Sequence, residues 1–392
     1  MTRTNLRHTV LITLVLCLPG GMLPSAFAGE ADVPTGKTLH ATTEPDSTDR
    51  ELQFLGSPYV SANSDVGFTI GFGASFTKGR DLNLTLSTSY STRGFMSLSL
   101  KGEVVTGGAR WIREIIVGRY KRRLYAPSGW SPDPYAVATS DRLLVTLAPL
   151  WEIRGVEVGP ELYMLVADSR DFEGGDGNPW MGPTPGRFRA GSAVTGGVRA
   201  RWRTMSATRP MHGWLLEGAV RGGVADGETF DKPRPEFALD LRAATALRLS
   251  DAFRLYLRGQ GTYFEQAPQA VQPFLGGIET LRGQSLERDV GRRVLMSRSQ
   301  FHYRFAKHWA WPGELAHRIW PLVPPLKLDL ELVAFHDMGA VGDPLYDGWQ
   351  RTRHGYGGGL RWVIPPELVF FFDIARAPDG TLFFYFGGGE TL

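Results

Sequence analysis

Arg282 stands alone as a cation within the glycine-rich run 275–284 (LGGIETLRGQ), and Asp337 closes the run 334–337 (AFHD) some fifty residues later. A guanidinium can meet a carboxylate through two parallel hydrogen bonds, which fixes geometry as well as adding energy. Between apolar walls such a pair makes a buried latch, with Gly283 supplying the turn beside it. In open water Arg282 is an ordinary loop cation and Asp337 an ordinary acid on a wet face, and both readings stand on the residues alone. Other chemistry is not indicated. The chain shows no Gly-x-Ser-x-Gly elbow, no His-Glu-x-x-His and no phosphate-cradling loop ending in lysine. Glu314 and His317 lie three apart between Trp311 and Trp320, a spacing that reads as a turn or solvated segment. No enzyme activity, cofactor or metal is expected.

The elements that must position Arg282 and Asp337 follow a period of two. In 327–335, Leu328, Leu330, Leu332 and Ala334 share one face, and Asp329, Glu331, Val333 and Phe335 share the other. Asp337 keeps step with the carboxylates. In 294–305, Leu295, Phe301, Tyr303 and Phe305 oppose Arg298, Gln300, His302 and Arg304. Val194, Val198, Ala200 and Trp202 oppose Arg199, Arg201 and Arg203, and Phe253, Leu255 and Leu257 oppose Arg254, Tyr256 and Arg258. Segments of about ten residues alternating in this way, cut by Gly, Asp, Ser and Pro clusters, are the signature of a transmembrane barrel. In a soluble sandwich the apolar faces would meet each other instead, and periodicity does not separate the two.

Ten such segments precede the arginine loop, at 66–77, 82–91, 94–105, 109–121, 141–153, 156–169, 191–204, 213–225, 235–249 and 251–265. Five follow, at 293–306, 326–339, 354–364, 367–377 and 380–392. Single-chain bacterial barrels carry an even number. Sixteen strands are therefore expected, the missing one around 120–139.

The first residues choose between sandwich and barrel. Arg3 and Arg7 precede the short apolar run 10–18, and Ser25, Ala26, Phe27 and Ala28 suit cleavage after Ala28, so 1–28 reads as a secretory signal peptide. The polar stretch 29–52 reads as a flexible periplasmic leader. Cys17, the one cysteine, falls inside the signal peptide, so disulfides, thiolate metal sites and cysteine nucleophiles drop out together. A net charge of +3 gives no basic excess for nucleic acid. Aromatics near strand ends, namely Trp111, Tyr120, Trp202, Trp309 and Trp362, favour the barrel. The fold class expected is all-β, a transmembrane antiparallel β-barrel over 53–392 with an inward-folded extracellular loop, in contact with outer-membrane lipids.

Five motifs in order then carry a likeness. They are 275–277 leading to Leu281-Arg282-Gly283, 334–339 (AFHDMG), Gly355-Tyr356-Gly357 followed by Gly359-Leu360-Arg361, Asp373-Ile374-Ala375, and 383–387. Together they resemble the BamA/TamA outer-membrane assembly superfamily, whose barrel is the bacterial surface antigen domain. The resemblance implies that the loop folds into the lumen from outside and that Arg282 pairs with Asp337. It implies a place in the outer membrane of a Gram-negative bacterium and a role in inserting or translocating proteins, with lateral opening between first and last strands.

This chain departs from the family in four places. Gln284 follows the Arg-Gly pair where an aromatic is usual, which removes an apolar anchor from the loop tip. His302 stands where a glutamate is usual, which puts a second acidic partner for Arg282 in doubt and would make that contact sensitive to pH. Leu392 replaces the usual terminal phenylalanine. About 24 residues between Ala28 and Phe54 leave no room for the periplasmic receptor domains that inserting members carry, so a separate periplasmic partner or a client outer-membrane protein would complete the system.

Gly67, Gly71 and Gly73 fall in the first expected strand, and Gly387, Gly388 and Gly389 in the last. Glycine weakens a strand, so this is the expected gate seam, although glycines there also permit curvature. The alternative to an insertase is a passive pore. The lumen face would carry Arg199, Arg201, Arg203, Arg242, Arg254, Arg258 and Arg304, which favours small anionic solutes.

Overall fold

In the computed structural model, the alternation around Asp337 is realised as one strand. Leu332, Ala334 and Met338 are exposed while Glu331, Val333, Phe335 and Asp337 are buried. The residues described are 53–388, less 64–66, 79–81, 125–135, 175–188, 205–212, 229, 278–279, 286–287, 344–345 and 365–367, and with only Glu314 and Arg318 described within 311–326. The signal peptide, the leader, His317 and Gly389 lie outside them.

The strands are β1 (Gln53–Asn63), β2 (Gly67–Lys78), β3 (Leu82–Ser91), β4 (Met96–Thr106), β5 (Ala109–Leu124) and β6 (Ala136–Ile153). After these come β7 (Val156–Gly174), β8 (Ala190–Arg203), β9 (Gly213–Gly227), β10 (Arg234–Arg248) and β11 (Phe253–Phe264). Two short strands, β12 (Phe274–Leu275) and β13 (Asp289–Val290), pair only with each other. The last five are β14 (Arg293–Trp309), β15 (Leu328–Asp343), β16 (Tyr346–Ile364), β17 (Leu368–Arg376) and β18 (Leu382–Gly388). All but β12 and β13 pair antiparallel with their neighbours, β14 beside β11 and β18 beside β1, in one closed barrel of sixteen strands.

The expected number holds, but the missing strand is β1 and not a segment near 120–139. β5 and β6 instead lengthen toward each other, to Leu124 and from Ala136. Gly67, Gly71 and Gly73 consequently belong to β2, one strand away from the seam.

The outer face settles sandwich against barrel. Ile70, Val198, Val220, Leu241, Leu295, Phe301, Leu332 and Phe384 are all exposed, in a belt running round the strands. Exposed apolar area on that scale is foreign to a soluble monomer and is what hydrocarbon covers in a membrane barrel. Inside, charge meets charge. Arg199 pairs with Glu161 and Glu217, Arg201 with Glu103 and Glu157, Arg203 with Glu103, Arg254 with Glu331, and Arg304 with Asp329. An even strand count returns β1 and β18 to start and finish at one end, and the segment 265–292 leaves β11 at the other.

Candidate functional site

Residues 265–292 fold into the lumen and meet both walls. On one side Ala267, Ala270 and Val271 pack with Leu165, Ala167, Ala193, Ala225, Ala238 and Phe264. On the other, Leu275 and Leu281 pack with Val294, Met296 and Val341 of β14 and β15. Burying these apolar side chains holds the segment inward at roughly 25 cal/mol per Å² of surface removed from water.

Glycine shapes the tip. Gly276, Gly277 and Gly283 have φ of 120°, 93° and 81°, which other residues rarely adopt. The Leu281 N–H donates to the Gly277 carbonyl at 3.0 Å, and Thr280 Oγ1 both accepts from the Gly276 N–H and donates to its carbonyl at 2.9 Å. That closed turn presents Arg282 to the wall.

Arg282 and Asp337 are both fully buried. Arg282 Nε and Nη2 donate to Asp337 Oδ2 and Oδ1, each at 2.8 Å, and the Arg282 backbone N–H donates to Oδ2 at 3.2 Å. Nη1 donates to Asp373 Oδ2 on β17 at 3.1 Å. The guanidinium lies over the Phe335 ring, 3.5 Å from its centroid, a cation–π contact made strong by desolvation. Arg361 Nη1 and Nη2 donate to Asp373 at 2.5 and 3.0 Å, and Arg298 Nε lies 3.5 Å from Asp337 Oδ1. Burial opposes the charged form of Arg282, yet the hydrogen bonds it donates to Asp337 and the charges of Asp337 and Asp373 outweigh it and raise its pKa above the usual value.

The wall has been cleared for this tip. A Cβ on Gly355 would collide with the Arg282 carbonyl oxygen, and one on Gly339 would sit 2.5 Å from Leu275 Cδ1. One on Gly359 would run into the Asp373 carboxylate. The lumen-facing glycines of β16 are thus sockets for the loop and for its second acid.

Two further contacts tie the loop down. The Gly283 N–H donates to the Tyr385 hydroxyl at 3.1 Å, and Arg353 Nε donates to Asp289 Oδ2 at 2.9 Å. Tyr385 lies on β18 opposite Asn63 of β1, so the loop tip reaches the closing strand itself. Gln284 is buried, its Nε2 3.5 Å from the His354 carbonyl, and anchors the tip through polar rather than apolar contact.

Arg282, Gly283 and Asp337 therefore converge, and His302 does not join them. It lies opposite Val333, with Nδ1 3.0 Å from Glu331 Oε2 and Nε2 3.3 Å from Gln300 Oε1. Asp337 lies opposite Arg298, four residues further along the strand and hence about 13 Å away at the usual rise. The expected pH-sensitive contact of His302 with Arg282 is corrected accordingly. The second acidic partner exists after all, as Asp373. Its sequence signals were the Asp373-Ile374-Ala375 motif and a lone carboxylate within the apolar run 369–375 (VFFFDIA), since a buried charge demands a partner, and neither pointed to Arg282.

The seam is thin. Among the described residues β1 and β18 share two register pairs, Ala62 with Phe386 and Asn63 with Tyr385. β1 and β2 share eleven, and β17 and β18 seven. Pro58 also removes a ladder donor from β1, which suits an edge strand. Gly387 and Gly388 end β18 at this seam, whereas Gly67, Gly71 and Gly73 line the β2 wall beside it.

No protein-family model and no curated relative matches the sequence. Solved structures do. BamA from Haemophilus ducreyi lacking POTRA domains 1–3 matches 85% of this chain at 12% identity and a TM-score of 0.52, and 70% of that chain is covered. CdiB from Escherichia coli matches 88% at 13% identity and a TM-score of 0.57, and CdiB from Acinetobacter baumannii 86% at 16% and 0.53. This chain spans 63% and 59% of those two. At such identities the likeness is one of fold, and the fold is that of the BamA and CdiB barrels.

Proposed function

We propose that this protein is a BamA/TamA-type barrel of the Gram-negative outer membrane, exported by its signal peptide, that inserts or translocates client proteins by opening between β1 and β18. The observation that carries the reading is the bond from the tip of the inward loop to the closing strand through Gly283 and Tyr385, at a seam with two register pairs among the described residues. The Arg282, Asp337 and Asp373 cluster acts as the latch that holds the loop against β15 and β17 while the seam is shut. A periplasmic partner delivers the client, and outer-membrane lipid surrounds the belt.

Two features of the lumen support a polypeptide over a small anion. Five of its arginines are matched by carboxylates, as described above, which removes most of the positive field that a passive anion pore needs. Beside the seam, the lumen faces of β2 and β3 carry Thr69, Thr85, Ser87 and Ser89, neutral hydroxyls able to hydrogen-bond a passing backbone without holding it by charge, with Gly71 and Gly73 leaving room between them.

The test is a lock on the seam. Depletion of the protein followed by outer-membrane proteomics should show loss of particular barrel or secreted clients. A variant with Ala62→Cys and Phe386→Cys, opposite each other across the seam, should restore them under reducing conditions and fail when oxidised. Unchanged client levels on depletion, or a large stable conductance of the purified protein, would reject the reading in favour of the pore.

A further inference from the structure

We infer that the outer wall carries a divalent transition-metal site made by His336 of β15 and His354 of β16. His336 is exposed and His354 half-buried, and His336 Nε2 lies 3.3 Å from His354 Nδ1 with the rings stacked at 5.4 Å between centroids. Two imidazole nitrogens on a tetrahedral zinc ion, each about 2.0–2.1 Å from the metal, are themselves about 3.3–3.4 Å apart. The pair has that separation with an N–H···N hydrogen bond spanning it, so binding a metal requires the donating ring to take its other tautomer and present a lone pair. The histidine pair is also rigid, because the two residues sit diagonally across paired strands, His336 opposite Tyr356 and His354 opposite Met338.

Their place on the barrel makes the site reachable. His336, Tyr356 and Arg376 fall in one register row, and Arg376 is the last residue of β17 before its turn. Ser299 of β14 lies on the other side of His336. This polar patch interrupts the apolar belt at the barrel end from which the loop folds in, where Tyr and Arg suit the headgroup layer and water completes a metal's shell. Among the described residues no third His, Cys, Asp or Glu joins the pair. The site is therefore open, two protein nitrogens with the remaining positions for water or a lipid or partner oxygen, and its preference runs to zinc, nickel and copper over magnesium or calcium.

The inference stands apart from the insertase reading, and its test does not depend on client assembly. The mature barrel, purified in detergent micelles without a polyhistidine tag, is titrated with zinc chloride by calorimetry. One saturable equivalent is expected, lost in His336→Gln and in His354→Gln and kept in His308→Gln, another exposed histidine; heat-modifiable gel migration checks that each variant is folded. Copper(II) electron paramagnetic resonance on the unaltered protein should report two coupled nitrogens, which gives an answer even if a variant misfolds. Absence of saturable binding, or binding that survives the double substitution, would overturn the site.

Discussion

Arg282→Met and Asp337→Asn should destabilise the barrel unequally, and the double variant should cost less than their sum. The cluster holds three guanidinium groups, Arg282, Arg298 and Arg361, against two carboxylates, Asp337 and Asp373. Arg282→Met leaves each acid with one arginine, Arg298 at 3.5 Å from Asp337 and Arg361 at 2.5 Å from Asp373. Asp337→Asn leaves three buried cations facing one acid. Stranding charge in this way costs about 3–5 kcal/mol. Arg282→Met removes three side-chain hydrogen bonds but strands neither acid completely, so its cost should fall at the lower end of that range, about 3 kcal/mol. Combining them returns the cluster to its original net charge, so a coupling of about 2–3 kcal/mol is expected, at the upper end for contacting residues. The measurement is urea unfolding in lipid vesicles, followed by tryptophan fluorescence and by heat-modifiable mobility. Additivity within about 0.5 kcal/mol, or a larger loss for Arg282→Met than for Asp337→Asn, would refute the shared cluster. The reciprocal swap of Arg282 and Asp337 is a poor substitute, because an aspartate at 282 would then face Asp373.

Gly355→Ala should drive a methyl into the Arg282 carbonyl and cost about 1–3 kcal/mol, with faster proteolysis of 265–292, whereas Gly73→Ala, with nothing within 4 Å of its added Cβ, should stay within about 0.5 kcal/mol. Equal effects of the two would mean the glycines of β16 are not sockets for the loop. Tyr385→Phe removes the acceptor of the Gly283 N–H, a change of about 1 kcal/mol, and should raise hydrogen exchange at 59–63 of β1. Exchange that rises only within the loop would uncouple loop from seam.

Parity along the chain gave the face of the charged residues in 194–203, 253–258, 294–305 and 327–337, because a closed barrel allows a side chain only two directions. Height is another matter. His302 has the right phase to face the lumen, yet its register opposite Val333 sets it about 13 Å from the cluster, and register is fixed by strand pairing rather than by any local pattern. Asp373 was hidden for the same reason, its contact with Arg282 spanning 91 residues of sequence. β1 was missed on composition. Gly56, Pro58 and Ala62 dilute the face that Phe54 and Val60 share, Ser57, Ser61 and Asn63 fall on the other, and its order comes from eleven register pairs with β2. A strand that relies on one neighbour is also the strand with least to lose at its other edge.

That asymmetry sets the energy scale on which the loop acts. Among the described residues, two register pairs across the seam supply a few backbone hydrogen bonds, each about 1 kcal/mol net, so parting that part of β1 from β18 costs on the order of 2–4 kcal/mol. The anchor of Arg282 to Asp337 and Asp373 is of similar size by the reasoning above. Tyr385 belongs to both, as the partner of Asn63 across the seam and the acceptor for Gly283 at the loop tip. When two interactions of comparable strength share one residue, the state of one shifts the equilibrium of the other by a measurable factor, about tenfold for each 1.4 kcal/mol. Had the seam been as long as the eleven-pair ladder between β1 and β2, no loop contact of this size could bias it. On the proposed gating, a short seam would give the buried arginine leverage, and release of Gly283 from β18 would uncouple the loop from the seam while its other contacts with the lumen wall stay in place.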